Sequence, residues 1–589
     1  MAVPASPAVL VEELHFAYPP AWPGGGPVPV LRGISLAVPP GQALAIMGPT
    51  SAGKTTLALV LAGLAPAMTG GRLRGRVLVD GLDAATTPAA QLSAHLGLVF
   101  QEPERQLFNM TVADEVAFGL EGLGMPPALI RERVAWALGC VGLAGLEDRP
   151  PWQLSGGQQK RLAIGAILAM QPPILVLDEP MAGLDPAGRR EVADALHALR
   201  ARSGATVIVF EKDAEFAARW ADRVAVLAEG RIALDGPPQT VFQEVERLHA
   251  LGVAVPQAAE LAARLRRRGW PAAFLTARQA AASLSAHLPA PGRAEPPPPP
   301  TAREDRPPAV ELRGVRFAYP SRTEALRDVS LAIPAGQTVA LVGQNGSGKS
   351  TLARTLIGLL RPQAGAVLIH GRPVGRRSVG ELARAVGYVF QNPDHQIFAP
   401  SAREEIAFGP RNLGLKGEAL AQRVSEALAA FGLQEVADLP PAVMGYGVRR
   451  LVTLASVWAM QPDIWVLDEP TTGLDARHTG QLLAQLRSLA AAGRTVLFIT
   501  HDLRLAAEIA QRVVVLHRGR VVLDGPPTEV LADAERLAPL GLRPPPIARL
   551  SAALAVHGFP HPTLTVDQFL AAWDAVTMTN GQLPIANCQ

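Results

Sequence analysis

Short aliphatic runs punctuate the chain, separated by longer stretches in which apolar and polar positions mix. Runs such as Ala43 to Met47 and Ile174 to Leu177 have the β-rich composition of buried strands, and stretches such as Arg189 to Arg200 read as the helices between them. This alternation predicts layered α/β domains built on parallel-sheet cores. The best candidate for a membrane span, Leu57 to Met68, is broken by Gly63 and Pro66. It falls short of the roughly 18 apolar residues a span needs, so no crossing is expected.

The pattern occurs twice. HFAYP at His15 to Pro19 returns as RFAYP at Arg316 to Pro320. VFQEPERQLF from Val99 returns 290 positions later as VFQNPDHQIF, and AMQPPILVLDEP from Ala169 returns at the same displacement as AMQPDIWVLDEP. The tails correspond as well: Leu251, Gly252, Pro256, Leu261, Gly269 and Pro271 match Leu540, Gly541, Pro545, Leu550, Gly558 and Pro560. Between the copies, Leu288 to Pro308 carries the proline run 296–300, which favours an extended, semi-rigid tether. The expected organisation is a first copy with its C-terminal extension over 1–287, a linker over 288–308 and a second copy with its extension over 309–589.

Composition narrows the class. The 589 residues suffice for several packed cores, and 48% hydrophobic against 18% charged residues is too apolar for disorder. A net charge of +3 gives no basic block of the kind that tracks nucleic acid, so nucleic-acid binding is not expected. Cys140 and Cys588 are too few and too distant for a disulfide framework or a zinc site, which fits a reducing cytoplasm. The N-terminal residues, with Glu12 and Glu13 arriving early, do not resemble a secretory signal.

Two glycine-rich loops carry the chemistry. The first runs through Gly48, Ser51, Gly53, Lys54, Thr55 and Thr56, and the second through Gly343, Asn345, Gly346, Ser347, Gly348, Lys349, Ser350 and Thr351. Each follows an apolar run and precedes a helical one, the context of a phosphate-binding loop. The glycines let backbone amides approach phosphates, the lysine neutralises their charge, and Thr55 or Ser350 offers a hydroxyl to Mg²⁺. Downstream, apolar runs end in Asp178-Glu179 and Asp468-Glu469. There the aspartate can hold the metal through water and the glutamate can polarise an attacking water. A purely structural buried pair is the bland alternative, weakened by its recurrence in both copies.

The pentapeptide Leu154-Ser155-Gly156-Gly157-Gln158, taken with the loops, the Gln101 and Gln391 segments and the Asp-Glu runs, resembles the ATP-binding-cassette ATPases over nearly the whole chain. Ser155 and two glycines entering a helix make an anion site, though any helix start shares some of this character. The resemblance implies ATP and Mg²⁺ as cofactors, metal positions near Gln101 and Gln391, and Tyr18 and Tyr319 stacked on adenine rather than merely packed at a strand end. It also implies two cassettes facing head to tail, so that each nucleotide meets one cassette's loop and the other's signature.

Here the copies differ. The second signature reads Met444-Gly445-Tyr446-Gly447-Val448, and where the second copy has His501, the family's switch position, the first has Lys212. By the head-to-tail rule both lesions fall in one site. The other combines Lys349, Ser350, Gln391, Asp468, Glu469 and His501 with Ser155. One hydrolytic and one weak site are expected. Whether the weak site, which keeps Glu179, turns over slowly or not at all stays open, as does the choice between drift and phosphate binding for Lys212.

Gln101 to Phe108, Gln391 to Phe398, Val116 to Gly119 and Ile406 to Gly409 resemble the ATPases of energy-coupling-factor importers, as do the tails, which in that group help join the cassettes. The expected role is a motor at the cytoplasmic face of the membrane. It would drive a membrane-embedded coupling protein and a substrate-binding membrane subunit for vitamins or transition-metal ions. The Leu/Ile-Phe pairs would dock the coupling protein, with internal packing as the alternative. A fused ATPase of another importer, or a soluble tandem cassette acting on ribosomes or DNA, remain the other readings.

Overall fold

A computed structural model describes residues 6–20, 26–102, 106–288, 306–320 and 323–579. The tether's proline run, residues 103–105 of the first glutamine segment and the last ten residues with Cys588 lie outside the described residues. The chain forms two compact units, Met1–Ala259 and Glu260–Gln589.

In the first unit a six-stranded sheet runs in the spatial order 231–236, 223–228, 43–47, 206–211, 174–178 and 96–99. All neighbours are parallel except the edge pair Arg223–Ala228 and Arg231–Gly236. Ala43–Met47, Ile174–Asp178 and Thr206–Glu211 are buried along their whole length, which is why their sequences are unbroken apolar runs. A four-stranded antiparallel sheet lies in the order 28–38, 9–18, 72–79 and 82–83. Helices Val112–Gly122, Pro127–Cys140 and Gly156–Met170 build a helical subdomain around Val116, Leu138 and Ile164.

The second unit repeats both sheets. The six strands take the order 386–389, 464–468, 495–500, 338–342, 512–517 and 520–525, and the antiparallel sheet is formed by 324–334, 308–318, 364–369 and 372–373. Its helical subdomain is made by Ala402–Asn412, Gly417–Ala430 and Tyr446–Met460.

The tail of the first repeat, which the repeat pattern assigns to the first copy, groups in space with the second unit. Helix Ala277–Leu284 packs on Pro546–Ala555. Trp270 meets Trp573 edge to face with centroids 5.4 Å apart, and Arg264 and Arg268 pair with Asp567 and Asp574 at 2.6 and 3.3 Å. In the second tail Phe559, Phe569 and Trp573 pack on one another, and Trp270 of the first tail adds to that cluster. No helix among the described residues is long and apolar enough to cross a membrane.

Candidate functional sites

Each glycine-rich loop begins where a fully buried strand ends. A Cβ on Gly48 would lie 2.2 Å from the Leu227 carbonyl oxygen, and one on Gly343 2.2 Å from that of Leu516, so only glycine fits at either strand exit. The helices Lys54–Leu61 and Lys349–Leu356 then start from left-handed Gly53 and Gly348. Lys54 is buried and its Nζ donates to the carbonyl oxygens of Gly48 and Pro49, both at 2.8 Å. Lys349 does the same with Gly343 and Gln344, again at 2.8 Å. Each ammonium is therefore held inside the curl of its loop, next to a helix N-terminus whose amides favour anions. Ser51, Asn345 and Gly346 sit exposed at the loop tips, while Ser347 is buried with its hydroxyl lacking a hydrogen-bond partner.

The two tyrosines occupy matching places. Tyr18 hydroxyl lies 3.2 Å from Thr56 Oγ1 and Tyr319 hydroxyl 3.1 Å from Thr351 Oγ1. Phe16 and Phe317 each meet their tyrosine ring edge to face with centroids 5.0 Å apart, and both tyrosines remain half-buried.

Behind the loops stand the carboxylates. Thr55 Oγ1 donates to Asp178 Oδ2 at 2.6 Å, yet burial pushes the Asp178 carboxyl up to about 6. In the second unit Tyr388 hydroxyl donates to Asp468 Oδ2 at 3.2 Å; burial raises the Asp468 carboxyl, with a hydrogen bond from Ser350 opposing it. The remaining oxygens, Asp178 Oδ1 and Asp468 Oδ1, are buried with no hydrogen-bond partner. A buried, unpartnered carboxylate oxygen near a loop hydroxyl is an all-oxygen donor set that suits Mg²⁺.

Glu179 and Glu469 follow at positive φ, 49° and 48°, a backbone state that costs about 1 kcal/mol or more outside glycine. Their amides extend the sheet pairing, donating to Phe210 and Ile499 carbonyls at 2.8 and 3.0 Å, which fixes where the side chains emerge. What those side chains meet differs. Glu179 Oε1 lies 2.8 Å from Lys212 Nζ, and its Oε2 accepts from Gln101 Nε2 at 3.2 Å. Burial opposes ionisation, but the Lys212 and Lys54 ammonium groups hold the Glu179 carboxylate below its ordinary range. Glu469 Oε1 instead lies 2.8 Å from His501 Nδ1, and Gln391 is exposed.

The signature segments also diverge. Ser155 caps helix Gly156–Met170 with a reciprocal bond to Gln158, and Ser155 and Gly156 face solvent, with Gly157 and Gln158 half-buried beside them. Gly445 makes no side-chain cap, and the Tyr446 hydroxyl donates to the Gln391 carbonyl at 3.2 Å.

Sequence reasoning passed over Glu211, which stands where the second copy has Thr500. It is fully enclosed, accepts from the amides of Met181, Lys212 and Asp213 at 3.2, 2.9 and 3.2 Å, and is pushed by burial up to about 7. Arg450, also passed over, is wholly buried. Both were visible as differences between the copies, Glu211 against Thr500 and Arg450 against Lys160.

The sequence profile described as ABC transporter matches residues 31–182 and 326–472. An ABC transporter ATP-binding protein of Methanosarcina acetivorans is 40% identical over 95% of this chain and 92% of its own length. One from Caldanaerobacter subterraneus is 37% identical over 92% of this chain and 95% of its own. A solved structure of CbiO1 from Clostridium perfringens, described as part of the ABC transporter complex CbiONQ, is 32% identical over 42% of this chain and 99% of its own, with a TM-score of 0.37. The protein belongs to the ABC transporter family, as an ATP-binding protein with two ATPase cassettes in tandem.

Proposed function

We propose that the protein is the fused motor of an energy-coupling-factor importer for vitamins or transition-metal ions, working at the cytoplasmic face of the membrane with one hydrolytic and one weak ATP site. The observation that carries the importer reading is a duplicated, exposed aromatic pair beside each glutamine segment. Phe108 and Phe398 are each 64% exposed and meet Phe118 and Phe408 edge to face at 4.8 and 4.6 Å. Buried Glu115 accepts from the amides of Phe108 and Asn109 at 3.0 and 2.8 Å, and Glu405 accepts from Phe398 and Ala399 at 3.0 and 2.9 Å. Rigidly held, solvent-facing aromatics suit an anchor for a helix of a membrane-embedded coupling protein.

The ATP sites are assigned by the same logic. Mg²⁺, when bound, neutralises the charge on the β- and γ-phosphates, and Thr55 with Asp178 and Ser350 with Asp468 would hold it, helped by Gln101 and Gln391. Lys54 and Lys349 take phosphate charge, and Tyr18 and Tyr319 offer flat faces to adenine. In the second cassette Glu469, oriented by His501, is the base. In the first, Lys212 holds Glu179 as an ion pair and so weakens it as a base. Following the family resemblance, Ser155, Gly156, Gly157 and Gln158 complete the site of Lys349, and the degraded Tyr446 signature serves that of Lys54. Loss of one preorganised contact costs about 3 kcal/mol, roughly a hundredfold in rate.

The test is isolation of the tagged protein from gently solubilised membranes, in wild-type form and as Phe108→Ala/Phe398→Ala. Small helical membrane proteins that travel with the wild type and are lost from the variant support the importer reading. Ribosomes or DNA as the only companions overturn it.

A further inference from the structure

In the second cassette the residues that depart from the first signature helix turn toward the segment after Val389. Tyr446, where the first copy has Gly156, donates its hydroxyl to the Gln391 carbonyl at 3.2 Å. Arg449, in place of Gln159, lies 3.1 Å from Asp394. Ser456, in place of Ala166, accepts from Gln396 Nε2 at 3.2 Å, and that amide's oxygen in turn accepts from the Phe390 amide at 3.3 Å. Arg450, in place of Lys160, does most. One arm of its guanidinium donates to the carbonyls of Phe390 and Gln391, and the other to those of Asp468 and Glu469 at 2.6 and 2.9 Å.

In the second cassette all four side chains, Tyr446, Arg449, Arg450 and Ser456, meet residues 390–396. A planar fork with five donors spans two strand ends at once, whereas an ammonium is a single point charge. Burial disfavours the charged guanidinium, so its carbonyl partners must be held tightly for the charge to be tolerated. Among those partners is the Glu469 peptide itself, at its strained φ of 48°.

We propose that the altered signature helix of the second cassette is an internal brace, in which Arg450 and Tyr446 are positioning residues that lock the Gln391 segment to the strand end bearing Glu469. The proposal rests on the reading of Glu469 as the base. The glutamine segment and the glutamate then keep one fixed separation in the second cassette, so that any displacement of the segment is felt at the glutamate.

The test uses the full-length protein with two readouts, steady-state ATP hydrolysis and hydrogen exchange of the 390–398 backbone, on Arg450→Lys, which installs the first copy's residue, and on Tyr446→Phe, which removes only a hydroxyl. Arg450→Lys is expected to lower kcat about tenfold with KM within about twofold, and to speed exchange over 390–398 about tenfold while helix 456–460 stays protected. Tyr446→Phe is expected to speed that exchange about threefold. Unchanged exchange over 390–398 in either folded variant overturns the brace; faster exchange with unchanged kcat overturns the positioning role. If Arg450→Lys does not fold, Tyr446→Phe decides alone. Full hydrolysis by Glu469→Gln would fail the assignment of the base and leave the exchange result standing.

Discussion

Lys212 and His501 occupy one position in two copies, and they differ in what their protons do. An ammonium offers only donors, whereas an imidazole nitrogen can donate or accept, so Glu179 meets a donor-only partner in Lys212 and Glu469 a two-way one in His501, both at 2.8 Å. Beside Lys212, the enclosed Glu211 carboxyl is raised to about 7 from 4.5. A raised carboxyl favours the fold while protonated, so this contribution is fully present below about pH 4.5 and lost as pH rises through 7. Against Glu211→Gln, which cannot ionise, the wild type should lose on the order of 3 kcal/mol of unfolding free energy between pH 4.5 and pH 8, read by denaturant titration. A pH-independent difference would contradict this. The Lys212 and His501 exchange was legible by setting one copy on the other. The charge on Glu211 was not, because a glutamate at a strand end reads as solvated until the surrounding sheet is known.

Among the elements, the phosphate loops and the buried central strands followed from apolar runs and their punctuation, and the signature helix from the pentapeptide that carries the family resemblance. Ala43–Met47 has the bounds read from the sequence, and Arg189 to Arg200 lies within helix Pro186–Ser203, which Asp185 caps. The antiparallel strand Val9–Tyr18 was less legible, because a register shift between Val11 and Leu14, with Glu13 at φ 46°, breaks the period-two alternation. Nor does a sequence show what a degraded motif has become. Gly473 makes the consequence measurable: at φ 78° its Cβ would sit 2.3 Å from the Tyr446 ring, whereas Gly183, at φ 73° in the first copy, has open space around it. Gly473→Ala should therefore destabilise the protein by about 2 to 3 kcal/mol and Gly183→Ala by about 1, in chemical denaturation. Equal losses would mean that Tyr446 is not seated on Gly473.

For the molecule as a whole, repetition revealed two copies of everything but not which parts pack together. The repeat pattern alone gave no sign that Trp270 would meet Trp573, because it records likeness and not contact; only the family resemblance implied a joining role for the tails. Trp573 is fully buried against Phe559, Phe569 and Trp270. Trp573→Ala should cost about 3 to 5 kcal/mol and release the 270–288 segment to proteolysis before the sheets unfold. Persistent protection of that segment would contradict the packing.

On the proposed function two similar cassettes divide their labour, with hydrolysis resting on the site of Glu469. The most direct measurement is steady-state ATP hydrolysis by purified Glu469→Gln and Glu179→Gln at saturating ATP. The expected result is a loss of about a hundredfold or more for Glu469→Gln and most of the activity retained by Glu179→Gln. Equal losses from the two substitutions would contradict it.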